Sequence, residues 1–160
     1  MTVSLPAEVA DLIADPTATK VLVTTDEDGT PHAVVTDFLQ IAADGTILYL
    51  EPLESSASNR NLVRGIWYDR KVAIALKGAG GASFQVKGRP VRTHVAGPVF
   101  QRHYENFQEQ HGDVDLAAVW VIQPEAVHDE DFGRAKSHEE ATRPFFRHLD
   151  RIAKQPEAAR

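Results

Sequence analysis

Ser55-Ser56-Ala57-Ser58-Asn59-Arg60-Asn61-Leu62-Val63 is the stretch on which the reading of this chain turns, because it closes a strand-rich first third and opens a helix. Three hydroxyls, two carboxamides and one guanidinium gather where the chain must change direction. The first backbone N–H groups of a helix lack partners within it, and the helix dipole adds partial positive charge there, so an anion such as phosphate is favoured. Ser and Asn are equally the preferred caps of helices in general. Two readings therefore stand: a phosphate-binding turn, or a capped helix start.

The sequence before this stretch is β-like. Lys20-Val21-Leu22-Val23-Thr24-Thr25 is a β-branched run, and the following Asp28-Gly29 is a turn signal. The partner strand covers about residues 32–41, a second turn falls at Ala42-Ala43-Asp44-Gly45, and residues 46–50 form a third strand. Ahead of them Ser4 can cap a short helix over about residues 5–13, with Leu5, Val9, Leu12 and Ile13 on one face and Asp15-Pro16 as its stop.

After the stretch, a helix over about residues 59–67 carries Leu62, Val63, Ile66 and Trp67 on an apolar inner side. Lys71-Val72-Ala73-Ile74-Ala75-Leu76 reads as a fourth strand. Residues 83–95 form a long fifth strand with a bulge at Gly88, and Gly78-Ala79-Gly80-Gly81 is the hairpin tip between the two. Gly97-Pro98 opens another helix whose Phe100, Tyr104 and Phe107 line a core side, ending near His111-Gly112. Residues 117–122 are the sixth strand, ended by Pro124. Trp67 and Trp120 each sit in an apolar pattern and read as core. Pro144, Phe145, Leu149 and Ile152 suggest a last helix of about 12 residues from near Thr142, docked on the body or on a partner subunit.

With 160 residues, 42% of them hydrophobic, the chain is expected to be one domain, with its core over about residues 18–124 and a C-terminal helical extension over about 137–155. It holds no cysteine, which excludes disulfides, thiolate metal sites and cysteine nucleophiles, so redox chemistry needs a borrowed cofactor. The net charge is −6 and the basic residues are scattered, which argues against nucleic acid as a partner. No signal peptide and no membrane-spanning run is recognisable, so a cytoplasmic protein is expected. The seven histidines show no metal-site spacing, and no metal is expected. No serine has a nucleophile elbow or an evident base, and Asp129-Glu130-Asp131 reads as a solvated strand exit, so no catalytic residue is assigned.

Taken in order, Asp28-Gly29-Thr30-Pro31-His32, Asp44-Gly45-Thr46, Arg60-Asn61-Leu62, Asp69-Arg70-Lys71-Val72 and Val86-Lys87-Gly88-Arg89 make the chain resemble the pyridoxamine 5′-phosphate oxidase-like family of FMN-binding split barrels, from about Lys20 to Ile122. The resemblance implies a mainly β fold with flanking helices, a six-stranded Greek-key split barrel, and a homodimer with FMN in clefts between the subunits. It places Ser56 and Ser58 against the FMN phosphate, just before the helix that includes Asn61. Many members carry Arg or Lys where this chain has Ala57 and Ser58, so the phosphate charge falls to helix N–H groups, hydroxyls and Arg60 or Lys87. Val34, Val35 and Thr36 lie on the strand that runs along the flavin ring, and Gln85 and Lys87 on the strand that approaches it. The Arg-x-His substrate motif of the oxidase itself is absent, so pyridoxamine phosphate is not the expected substrate. The expectation is a dimeric FMN flavoprotein, an oxidoreductase or electron carrier for a small partner. The alternatives are a non-catalytic module holding haem, a deazaflavin or another phosphorylated ligand in the same cleft, or a split-barrel dimer serving association alone.

Overall fold

Turn glycines and period-two alternation organise the computed structural model, which describes residues 3–143. Strand β1 (Thr19–Thr25) alternates buried and half-buried residues, as a strand with one face on a core must. Gly29, at φ +84°, turns β1 into β2 (Pro31–Val35), and Gly45, at φ +83°, turns β3 (Leu39–Ile41) into β4 (Ile47–Glu51). This left-handed backbone favours glycine. Strands β5 (Val72–Lys77), β6 (Ser83–His94) and β7 (Ala118–Asp129) complete one antiparallel sheet of order β2-β1-β5-β6-β7-β4-β3.

Strands β2 and β3 are consecutive in the chain yet stand at opposite edges of that order. Only residues 36–38 separate them, a path of at most ~15 Å, whereas a flat sheet of this many strands would be ~29 Å across. The sheet therefore curls until its edges approach, as a half-barrel, and residues 36–38 cross from one edge to the other. The Thr36 N–H bonds the Lys20 carbonyl (3.0 Å) and the Leu50 N–H the Phe38 carbonyl (2.9 Å), so hydrogen bonding to both edges reaches into the corner. The single strand expected over 32–41, and with it the count of six, is corrected to seven strands. The break comes where the Thr36 hydroxyl accepts the Phe38 N–H at 3.1 Å in place of a ladder partner.

Leu22, Ile47, Ile74, Leu76, Val86, Trp120 and Ile122 fill the concave side, joined by Val9, Leu12 and Ile13 of helix α1 (Ala7–Ala14). Helix α1 starts after Pro6 with no side-chain cap, so Ser4 does not cap it. Its C-terminal carbonyl on Asp15 accepts from the buried Lys20 ammonium at 2.6 Å, a cation at the negative end of the dipole. A second cluster lies outside the curl, where helix α3 (Gly97–His111) packs Phe107 against Leu48, Leu50, Leu116 and Val119, with Phe100 and Tyr104 partly buried beside it.

Pro124 does not end β7, which runs on to Asp129. Beyond Ile122 no β4 residue pairs with it, and opposite Pro124 strand β6 is bulged at Lys87/Gly88, so the missing N–H breaks no ladder bond. The chain then enters helix α4 (Phe132–Thr142), capped by Asp131, whose carboxylate accepts the Arg134 N–H at 2.9 Å. The helix expected from near Thr142 lies outside the described residues. Among the described residues no helix is long and apolar enough to cross a membrane.

Candidate functional site

Helix α2 (Ala57–Trp67) begins at Ser56, whose side chain accepts the Asn59 N–H at 2.9 Å. The same hydroxyl donates its single proton to the Glu51 carboxylate at 2.7 Å. Glu51 is 2% exposed at the end of β4, and it also accepts the Tyr49 hydroxyl (3.0 Å) and the Leu53 N–H (2.9 Å). Among the described residues no cation pairs with it. Burial pushes the Tyr49 phenol far above its ordinary pKa, and the Glu51 charge adds to that shift. Ser58 is buried on the inner face of the same helix. Asn61 is buried and donates to the Thr24 hydroxyl at 3.0 Å, while the Asn59 side-chain amide oxygen accepts the Trp120 indole N–H at 2.8 Å.

The inner face of α2 is thus Ser58, Asn61, Leu62 and Gly65, a spacing of three and four that follows the helical turn. Gly65 is required there, since a Cβ would stand 2.6 Å from the Pro90 ring. Val63 and Ile66 are exposed and Trp67 is 78% exposed, which corrects the expectation of an apolar inner side and of Trp67 as core. Trp120, at 2%, is core as expected.

Beside the first turn lies a cleft of about 240 Å³ lined by Asp26, Glu27, His32, Ala57, Arg60, Asn61 and Arg64. Arg64 is paired with Glu27 at 2.7 Å, and the exposed Arg60 donates to the Ser55 carbonyl at 2.8 Å. Asp26 uses its carboxylate to brace the β1–β2 turn through the Asp28 and Thr30 N–H groups.

A different surface brings together the expected strand residues. Val35 pairs with Val21, Val21 with Ala75, and Ala75 with Gln85, so these four side chains form one row on the convex face of the sheet. Ala33, Val23, Ala73 and Lys87 form the next row. Val35 is 70% exposed, Ala33 and Lys87 are exposed, and the rest are half-buried. The result is a low platform of small apolar side chains, with an amide and an ammonium along one border. Thr36 is not on it: its side chain is buried at the corner and its N–H is taken by Lys20. Val34 turns inward onto the core.

No family model matches the sequence, and no curated protein does. Solved structures do match in fold. HupZ of Group A Streptococcus is similar with a TM-score of 0.67 at 19% identity, over 80% of this chain and 95% of that one. A Lactobacillus delbrueckii protein assigned as a pyridoxamine 5′-phosphate oxidase gives 0.59 at 18%, over 78% and 93%. An FMN-binding protein of Syntrophomonas wolfei gives 0.60 at 16%, over 76% and 82%. The chain has the pyridoxamine 5′-phosphate oxidase-like fold. Within that fold the eight expected site residues divide: Val35, Gln85 and Lys87 share the platform, Arg60 and Asn61 line the cleft, Ser56 and Ser58 belong to the polar layer under α2, and Thr36 belongs to the corner.

The sequence reading missed Val21, Val23, Ala73 and Ala75 on the platform and Tyr49 and Glu51 beneath α2. The first group had a signal: in residues 72–76 large side chains alternate with alanine. That pattern sets a packed face against one kept low for a neighbour. Glu51 also had one, as a charge closing an otherwise apolar strand, but its partners come from the turn that follows.

Proposed function

We propose that the protein binds a flavin-type ring on the Val35–Val21–Ala75–Gln85 platform, as a homodimer, and serves as an oxidoreductase or electron carrier for a small partner. The row of small apolar side chains bordered by Gln85 and Lys87 carries this reading. A planar ring needs a flat apolar floor and a few polar groups at its edge. A bound flavin would supply hydride and electron transfer. The chain's own part is to bind and orient: the alanines keep the floor level, the Gln85 amide can hydrogen bond a polar ring edge, and the Lys87 ammonium favours negative charge next to it. The fold shared with the Syntrophomonas wolfei FMN-binding protein supports the choice of ring. A second copy would form the other wall of the site, because the platform is open on one side and the exposed Val63, Ile66 and Trp67 offer further apolar surface.

A phosphate at the start of α2 is less well supported than the ring, because the Ser56 hydroxyl expected to hold it is committed to Glu51 and to the Asn59 N–H. A second reading is a binding module for haem or a deazaflavin without turnover, favoured by His128, which stands opposite Gln85 at the border of the platform. Absorption titration separates them. Flavin bands that shift and sharpen on addition of protein support the proposal, and a haem Soret shift with no flavin response supports the alternative.

A further inference from the structure

We infer that His128 makes the charge at the edge of the ring site pH-dependent, so that the protein's preference for a reduced, negatively charged ring over an oxidised one rises as the solution is acidified. This rests on the flavin reading above and concerns the regulation of that same site.

Strand β7 carries the platform one residue beyond Gln85 and Lys87. His128 pairs with Gln85 and Ala126 with Lys87, so the two rows end on an imidazole and a methyl group. Alternation fixes the side: Val127 packs on the core, which turns Ala126 and His128 to the convex face. Side chains directly opposite in such a pair stand about 5 Å apart at Cβ, and diagonal ones about 7–8 Å. The imidazole therefore lies beside the Gln85 amide and on the same border as the Lys87 ammonium. His128 is exposed, and among the described residues it makes no hydrogen bond or ion pair. The other strand histidines are placed elsewhere, since His32 lines the cleft beside α2 and His94 pairs with Val119, which packs under α3.

The charged groups on that side of the sheet are few. Lys87 on β6 and Lys77 at the end of β5 are exposed cations, and Glu130 is exposed two residues beyond His128. Glu125, on the bulge, is held by Lys71 and Arg89, and Asp129 is on the other face with its partner Phe84, where it pairs with Arg134 at 2.8 Å. Lys87 supplies a standing positive charge, whereas an imidazole is the side chain whose charge ordinarily changes between pH 5 and 8. Uptake of two electrons and one proton leaves a neutral oxidised ring with one negative charge. The electrons come from an external two-electron donor and the proton from solvent; His128 takes its own proton from solvent and gives none to the ring. As pH falls, the imidazolium adds a cation beside that negative charge and favours the reduced form, and as pH rises this contribution is lost and Lys87 acts alone.

The test binds riboflavin to the full chain and measures its midpoint potential against reference dyes, with dithionite as reductant, at about pH 6 and about pH 8.5. The proteins are the parent, His128→Asn and His128→Arg. At the lower pH the parent should prefer reduced over oxidised riboflavin about tenfold more strongly than His128→Asn does, a gap of about 30 mV for a two-electron couple. At the higher pH the two should agree within about twofold. His128→Arg, with a permanent charge, should match the parent at the lower pH and keep its gap over His128→Asn at the higher one. All three should unfold at similar temperature, because position 128 is exposed near the end of a strand. Equal potentials of the parent and His128→Asn at both pH values, with riboflavin bound by each, would overturn the inference and leave the platform proposal intact. A gap of the same size at both pH values would also overturn it, since a change of shape rather than of charge would then be responsible. If riboflavin binds none of the three, the platform proposal falls, and the inference with it.

Discussion

A serine oxygen accepts while its proton donates, and Ser56 does both at once, capping α2 through the Asn59 N–H and bonding Glu51. Ser56→Ala therefore removes a cap and leaves one oxygen of a buried carboxylate short of a donor. It should lower stability by about 1–3 kcal/mol without any ligand present, measured by urea unfolding. The cap was legible, because Ser before a helix needs only local geometry. The Glu51 bond was not, because two residue types that often face solvent are here driven inward together. Trp67 misled for a related reason. Apolar residues at the end of α2 look like an inner face, but the side of the helix that faces the body and its polar layer of Thr24, Tyr49, Glu51 and the Trp120 indole N–H is Ser58, Asn61, Leu62 and Gly65, and Val63, Ile66 and Trp67 lie off that side. Small and polar residues of the helix match that layer, and the large ones are turned out.

At the scale of elements, β6 and β7 carry two register irregularities, between Lys87 and Gly88 and between Pro90 and Arg92. The first was legible from Gly88, because a Cβ there would meet the Gln123 carbonyl. The continuation of β7 through Pro124 was not, since it depends on where a different strand stops. The first bulge projects Glu125 between Lys71, at 2.8 Å, and Arg89, which also reaches Asp69 at 2.8 Å. The Lys71 hydrogen bond, followed by that from Arg89, holds the Glu125 carboxyl below its ordinary pKa. A depressed carboxylate pKa contributes stability that is present above the unfolded value and lost as pH falls through the folded one. Glu125→Gln should accordingly lower Tm by about 2–4 °C at neutral pH, since the group is partly solvated, and the difference should shrink as acid protonates the folded carboxylate. Equal Tm differences at neutral and acid pH would show that the ion network contributes nothing.

On the scale of the whole molecule, the antiparallel strands, their turns and the α3 stripe were readable from alternation and glycine placement. The corner at residues 36–38 was not, because no glycine or proline marks it and only the closing of the sheet on itself demands it. That curl sets a convex platform on one side and the α2 layer at one end. The proposed site takes its second wall from another copy of the chain, so sedimentation at micromolar concentration should give a dimer, whereas a monomer with bound flavin would contradict the two-subunit site. The most direct measurement is a riboflavin titration of the parent and of Ala75→Arg, followed by flavin fluorescence. Ala75 is half-buried in the middle of the platform row, so an arginine there blocks a ring without entering the core. The account predicts saturable quenching in the parent and at least a tenfold loss of affinity in the variant, with the two proteins unfolding at similar temperature. Equal binding by both, or none by the parent, would contradict it.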